Sequence, residues 1–298
     1  MDAGPSSSDP FGDHVPGAGI FRKPGTAGRR WTMLGIVVLT ILLVPVAAIW
    51  LLQRRLVFQP DSSDPGPAAA AISGARDVWL QTSDGLRLAA WYLPAGIGCE
   101  TTVLVAPGNA GNRAGRAELA RRLGERGLGV LLLEYRGYGG NPGSPTEKGL
   151  ARDAIAAWEF LHKSLPAGHR LVYFGESIGG GVVSALSLVK PPNALVLRSP
   201  SIDLASAAGH HYPMLPVRMM LWDKFTVRSD ISKLTVPLTV ILGERDTVIP
   251  PEQSLAVAGA APTAATVVRV PGADHNDAEL VHGPAVIDAV HRGPCAGT

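Results

Sequence analysis

The pattern of apolar and polar positions changes character along the chain. Residues 1–30 are rich in Pro, Gly and Ser with little apolar periodicity. Such a segment cannot bury enough surface to offset the entropy of ordering, so a disordered tail is expected. The run "WTMLGIVVLTILLVPVAAIWLL", Trp31 to Leu52, follows without a charge and is bracketed by Arg29 and Arg30 before it and Arg54 and Arg55 after it. As a helix rising about 1.5 Å per residue it spans about 30 Å, the thickness of a bilayer's hydrocarbon layer. Tryptophans near both ends suit the interfacial belts. The run is longer than the core of a signal peptide, and "IWLLQRRL" offers no small-residue cleavage site, so an uncleaved transmembrane helix is expected over 31–52. Residues 53–74, which include "PDSSDPGPAAAAISG", read as a linker.

From about 75 to 292 short apolar runs alternate with longer amphipathic stretches, and this predicts a single α/β domain followed by a tail over 293–298. Strands are expected at Asp77 to Gln81, Leu86 to Tyr92, Thr102 to Ala106, Gly129 to Glu134, Leu171 to Phe174, Ala194 to Leu197, Leu238 to Leu242 and Thr266 to Val270. Helical patterns fall at about 112–126, 146–164, 178–189, 251–259 and 278–291. In "SPTE", Ser144 as N-cap, Pro145 at the first helical position and Glu147 three residues on form a capping-box pattern. Two early antiparallel strands followed by repeated strand and helix units predict a mostly parallel eight-stranded sheet covered on both faces. An insertion over about 199–236, with "HHYPMLPVRMMLWDKF" inside it, is too short for a large cap domain and reads as a lid. Its Tyr212, Met214, Leu215, Met219, Met220, Leu221, Trp222 and Phe225 suit an acyl pocket or the packing of the lid on the core, and the sequence does not choose between them.

Candidate chemistry sits where these runs end. "RLVYF" closes a strand, "GESIG" turns, and "IGGGVVSALSLV" opens a helix. A lone GxSxG is weakly specific, but this strand, turn and helix context is what a nucleophile elbow requires. Ser177 is therefore the candidate nucleophile, with Gly175 and Gly179 giving the backbone room in a tight turn. A serine hydroxyl needs an adjacent base, itself oriented by an acid. "VILGERDTVIP" places Asp246 just past one late strand and "VVRVPGADHND" places His275 just past the next, on the rim where the carboxyl ends of parallel strands gather. Glu244 is a rival acid, Asp274 a weaker one, and His162, His169, His210, His211, His282 and His291 are histidines in less suitable places. Fixed main-chain N–H groups must receive the oxyanion. Ile178 at the helix start is the first candidate, and Asn109 in "PGNAGN" is the second, with Ala110 behind it.

A formal charge of +2 over 298 residues, without interleaved basic and aromatic clusters, argues against a nucleic-acid partner. Cys99 and Cys295 lie far apart without metal-ligand spacing, and no cofactor or metal is called for. Four basic residues before the apolar run (Arg22, Lys23, Arg29, Arg30) against two after it (Arg54, Arg55) lean towards an inside N-terminus and an extracytoplasmic domain.

The segments "APGNAGNRAGR", "LLEYRGYGGNPGSPTEKGLARDA", "YFGESIGGGV", "ILGERDTVIP" and "VPGADHND" together resemble the α/β-hydrolase superfamily. Within it they resemble the membrane-anchored BEM46-like, ABHD13-like branch, which also carries a single N-terminal span. The resemblance implies an α/β-hydrolase fold and a serine hydrolase whose triad is Ser177, Asp246 and His275. The first segment usually begins His-Gly in that family, whereas Pro107 precedes Gly108 here. A membrane-anchored enzyme cleaving an ester or thioester of a small molecule, a lipid or an acylated protein is expected. The alternatives are an amidase or peptidase with the same triad, or a non-catalytic membrane protein retaining the fold.

Overall fold

The computed structural model describes Met1, Gly4 and residues 26–291. The tails expected over 1–30 and 293–298 fall outside these residues, apart from Met1, Gly4 and 26–30, the last of which are helical. Two compact units are present, Met1–Ile49 and Trp50–Thr298. The first holds most of helix α1 (Thr26–Val57), which contains the one stretch among the described residues long and apolar enough to cross a membrane, Arg29–Val57. Its Trp31, Ile36 and Ile41 are among many exposed apolar side chains.

In the second unit, the end of α1 is followed by β1 (Gln59–Pro60), α2 (Ala68–Ala71), β2 (Arg76–Gln81), β3 (Arg87–Leu93), β4 (Thr101–Ala106) and β5 (Ala110–Gly111). A short 3₁₀ turn, Arg113–Arg116, leads into α3 (Ala117–Glu125), then β6 (Gly129–Leu132), α4 (Glu147–Ser164), β7 (Arg170–Glu176), α5 (Ile178–Val189) and β8 (Ala194–Arg198). The lid carries α6 (Leu204–His211), α7 (Val217–Met220) and α8 (Val227–Ile231). The chain closes with β9 (Leu238–Gly243), α9 (Pro251–Ala258), β10 (Thr266–Val270), α10 (Ala278–His282) and α11 (Pro284–His291).

The eight-stranded sheet has the order β10-β9-β8-β7-β4-β6-β3-β2. β2 and β3 pair antiparallel, β3 joins β6 antiparallel, and the remaining pairs are parallel. The expected α/β-hydrolase architecture is borne out, and the pleat explains why it could be read. Successive residues of a strand point to opposite faces, so Val103 and Val105 join the core under α3, α10 and α11, while Leu104 and Ala106 join the core under α4, α5 and α9. Both faces are covered, and the strands read as continuous apolar runs.

Two local expectations change. The N-cap of α4 is Thr146, whose hydroxyl accepts from the Gly149 N–H at 2.9 Å, and not Ser144. Glu147 does not close a capping box, because its carboxylate accepts the Lys224 and Phe225 N–H groups of the lid, at 2.6 and 2.8 Å. Residues 53–74 are more than a spacer: they contain the last turn of α1, β1 and α2, with Gln53 and Phe58 buried.

Candidate active site

Strand β7 delivers Ser177 to the sheet rim, and the turn there is strained. Ser177 has φ 53° and ψ −118°, a region that non-glycine residues avoid and that costs on the order of 1–3 kcal/mol. The surrounding packing imposes it. The Ser177 N–H continues the β7–β8 ladder by donating to the Arg198 carbonyl at 2.9 Å, while its own carbonyl accepts the Gly180 N–H at 2.9 Å as α5 begins. The chain thus reverses within one residue, presenting a half-buried hydroxyl.

Only glycine fits on either side. A Cβ at Gly179 would lie 2.2 Å from the Ala106 carbonyl oxygen and 2.5 Å from that of Pro107, both main-chain atoms that cannot step aside. Gly179→Ala is therefore expected to cost about 3 kcal/mol or more by overpacking. Gly115→Ala, whose Cβ would meet nothing within 4 Å, stays within about 0.5 kcal/mol of wild type. Urea midpoints of the two variants check this; equal midpoints would refute the packed elbow.

Asp246 follows β9 and His275 follows β10, and the structure brings them into contact. The His275 ring lies with Nδ1 2.8 Å from Asp246 Oδ2 and 3.0 Å from Oδ1, both side chains buried. Asp246 Oδ1 also accepts the Val248 and Ile249 N–H groups at 3.0 and 2.8 Å. Burial pushes the Asp246 carboxyl up, but the hydrogen bond and charge of His275 and the Ile249 N–H outweigh it and hold the group below the ordinary carboxylate value. With Nδ1 engaged, Nε2 is the nitrogen left to serve a nucleophile. Among the described residues no hydrogen bond joins the Ser177 hydroxyl to the His275 ring. The two are linked through Arg198 at the end of β8, whose Nη1 donates to the His275 carbonyl at 2.7 Å. Catalytic hydrogen bonds often tighten only when substrate binds.

The rivals are occupied elsewhere. Glu244 is exposed. Asp274 caps its own loop, accepting from Thr247 N–H and His275 N–H, each at 2.7 Å. His169 meets Thr102 Oγ1 at 2.9 Å at the amino ends of β4 and β7, away from the rim that carries Ser177, and His162 stacks on Trp158. His211 meets the Val248 carbonyl at 2.9 Å and packs edge-on against His210. His282 and His291 end the two terminal helices. Among the described residues no group of three or more His, Cys, Asp or Glu could hold a metal ion.

For the oxyanion, Ile178 is the first residue of α5, where main-chain N–H groups have no partner within the helix. Asn109 is anchored on three sides. Its carbonyl accepts the Gln59 N–H at 2.9 Å and the Tyr138 hydroxyl at 2.8 Å, and its side-chain amide donates to the Val57 carbonyl at 2.9 Å. Where the resemblance leads one to expect a histidine, the Pro107 carbonyl accepts the Tyr135 hydroxyl at 3.0 Å. Of the lid's apolar residues, Phe225 is buried against α5, whereas Tyr212, Met214, Met219 and Trp222 are exposed.

Sequence reasoning missed a charged cluster directly behind this rim. Glu176, next to the serine, is buried between Arg116, which grips both its oxygens, and Arg198, whose Nη2 lies 2.8 Å from Oε1. Burial alone would raise the Glu176 carboxyl, yet the two guanidinium charges, with their hydrogen bonds, pull it down to about 2. The hint in the sequence was two charged residues, Glu176 and Arg198, ending apolar strands; nothing marked Arg116, which closes the 3₁₀ turn before α3.

Comparison with known proteins supports the same reading of the fold. A family profile described as "Serine aminopeptidase, S33" matches residues 99–229. An uncharacterised protein of Mycobacterium tuberculosis is 43% identical over 89% of this chain and 95% of its own length. The alpha/beta hydrolase domain-containing protein WAV2 of Arabidopsis thaliana is 31% identical over 82% of this chain and 87% of its own. Lysophosphatidylserine lipase ABHD12 of Danio rerio is 26% identical over 82% and 76%. An esterase structure from Pyrococcus furiosus superposes with a TM-score of 0.64 at 23% identity, over 79% of this chain and 99% of that one.

Proposed function

The chain belongs to the α/β-hydrolase superfamily, and from that premise we propose that it is a membrane-anchored serine hydrolase of the BEM46-like branch, cleaving a carboxylic ester or thioester of a lipid or acyl group. The observation that carries the reading is a strained serine elbow on the same sheet rim as a buried His275–Asp246 hydrogen bond.

In this mechanism His275 Nε2 takes the Ser177 proton as the oxygen attacks the acyl carbonyl, and Asp246 stabilises the imidazolium that forms. The Ile178 and Asn109 N–H groups receive the oxyanion. The tetrahedral intermediate collapses as His275 returns its proton to the leaving alcohol or thiol. Water, deprotonated by His275, then releases the acid from the acyl-enzyme. Asp246 stays charged throughout, since its carboxyl is held below the ordinary range.

A lipid or acyl-protein substrate is supported by the apolar span, by the exposed apolar lid residues and by the lysophosphatidylserine lipase among the relatives. Placement of the domain on the extracytoplasmic side is supported by the four basic residues before the apolar run, Arg22, Lys23, Arg29 and Arg30, against Arg54 and Arg55 after it. The family profile's aminopeptidase description favours one competing reading, an amidase. The test is a panel of short and long p-nitrophenyl esters, acyl-thioesters and aminoacyl amides offered to the full chain in detergent. Turnover of long-chain esters or thioesters at least tenfold above the amides is expected, and preferential amide cleavage would overturn the ester assignment.

A further inference from the structure

We infer that the segment Gln53–Asp61, immediately after the apolar run, is a positioning element of the acyl-transfer site that holds Asn109 in place for the oxyanion. The inference rests on the hydrolase reading above, in which the Asn109 N–H is the second oxyanion donor.

Two observations show that this segment is built into the domain rather than strung past it. Its upstream half is locked to the lid. Gln53, a polar residue in an apolar neighbourhood, is 5% exposed, and both ends of its amide are satisfied by lid main chain: Nε2 donates to the Met220 carbonyl at 3.1 Å and Oε1 accepts the Trp222 N–H at 2.8 Å. Arg54 Nε meets Asp223 Oδ2 at 2.9 Å, and Phe58 is buried with its ring edge-on to Phe225. A spacer would leave these side chains in water, and a buried amide without partners would cost about 1–3 kcal/mol.

From this fixed base the downstream half reaches the oxyanion loop. Gln59 and Pro60 pair in parallel with Ala110 and Gly111, the residues that directly follow Asn109. The Gln59 N–H donates to the Asn109 carbonyl while the Val57 carbonyl accepts the Asn109 side-chain amide, both at 2.9 Å, so two residues of the segment, at the end of α1 and the start of β1, grip this one residue. Asp61 extends the grip, its N–H donating to the Gly111 carbonyl at 3.1 Å and its carbonyl accepting the Gly139 N–H at 2.8 Å. With its carbonyl and its side chain both held, the Asn109 Cα is fixed in place, and this restrains the adjoining peptide that carries its N–H. A loop that carries no histidine before its glycine therefore gains its rigidity from the chain that leaves the apolar helix.

Two deletions, each removing one tether and leaving the Asn109 N–H in place, test this in the full chain in detergent. Asn109→Ala removes the amide that reaches Val57. Replacement of Gln59 by its α-hydroxy acid turns the donating N–H into an ester oxygen. Rates on p-nitrophenyl acetate are normalised to the serine titrated by a fluorophosphonate, so that misfolded protein does not count. Asn109→Ala is expected to lower kcat about tenfold, less than the roughly 10²- to 10³-fold that outright loss of an oxyanion donor costs because the N–H is loosened and not removed, with KM within about twofold. The Gln59 ester is expected to lower kcat about threefold, and also at unchanged KM. Should Asn109→Ala yield too little titratable protein, the Gln59 ester decides alone. Wild-type kcat in both variants, or a rise in KM at unchanged kcat, would overturn the inference. Failure of the hydrolase reading shows differently, as a wild-type chain that neither labels nor turns over.

Discussion

Ser177→Ala leaves a folded chain whose hydrolysis of acyl esters falls about 10⁴- to 10⁶-fold and which no longer reacts with a fluorophosphonate probe. The size follows from the role proposed for the hydroxyl: without it no acyl-enzyme forms, and what remains is the contribution of binding and oxyanion stabilisation to direct attack by water. Folding is spared because the ladder bond from the residue 177 N–H to the Arg198 carbonyl and the bond from Gly180 N–H back to the residue 177 carbonyl involve only main chain. The strain at φ 53° makes a second, opposite effect measurable. Alanine retains the strain, whereas glycine adopts positive φ freely, so Ser177→Gly should be the more stable of the two inactive variants by about 1 kcal/mol. Gel-based probe labelling, ester turnover and urea denaturation read the three parts separately. Residual turnover within tenfold of wild type would remove Ser177 from the chemistry, and a glycine variant less stable than the alanine one would remove the strain.

Most of the fold could be read because it is written locally. The eight strands of the main sheet are apolar runs ended by Gly, Pro or charged residues, and the structure moves their limits by only a residue or two, the largest shifts being β6, which stops at Leu132 instead of Glu134, and β7, which runs on to Glu176 instead of Phe174. The positions of the candidates Ser177, Asp246 and His275 past strand ends were legible for the same reason, since parallel strands deliver their carboxyl ends to one rim. The capping error at α4 shows the limit of pattern. Ser144 and Thr146 are both good caps by type, and what separates them is a tertiary demand on Glu147 by the lid's main chain, 77 and 78 residues away.

Long-range pairing accounts for what the sequence concealed. β1 is two residues long and includes a proline, so it has neither the length nor the alternation of a strand; it exists because Asn109 to Gly111 lie beside it. Likewise, nothing in "GES", "VLRSP" or "NRAGRAE" says that Glu176, Arg198 and Arg116 will meet. Charged residues in an apolar interior must pair, yet the identity of the partner is a property of the strand order, which places β8 beside β7.

That cluster gives the largest expected change in stability. Arg198→Met should destabilise the protein by about 3–5 kcal/mol at pH 7.5, the cost of breaking a buried ion pair by removing one partner. Arg198 is fully buried, and its loss leaves Glu176 facing Arg116 alone while the His275 carbonyl loses its 2.7 Å donor. The pH dependence identifies the cause. The Glu176 carboxyl, ordinarily near 4.5, is held at about 2 in the folded chain. A depressed carboxylate contributes stability that is fully present above the unfolded value and is lost as pH falls from 4.5 towards 2. In Arg198→Met the carboxylate is less well compensated and takes up a proton more readily, so the gap between wild type and variant should narrow as pH falls from 7.5 to 4.5. Arg198→Lys keeps a charge but not the fork that serves Glu176 and His275 together, and should recover part of the stability while kcat stays below wild type. Urea midpoints at the two pH values, with kcat for the lysine variant, test each step. A loss under 1 kcal/mol at pH 7.5, or one of equal size at both pH values, would mean that the arginine fills space behind the rim without holding the nucleophile turn and the histidine loop together.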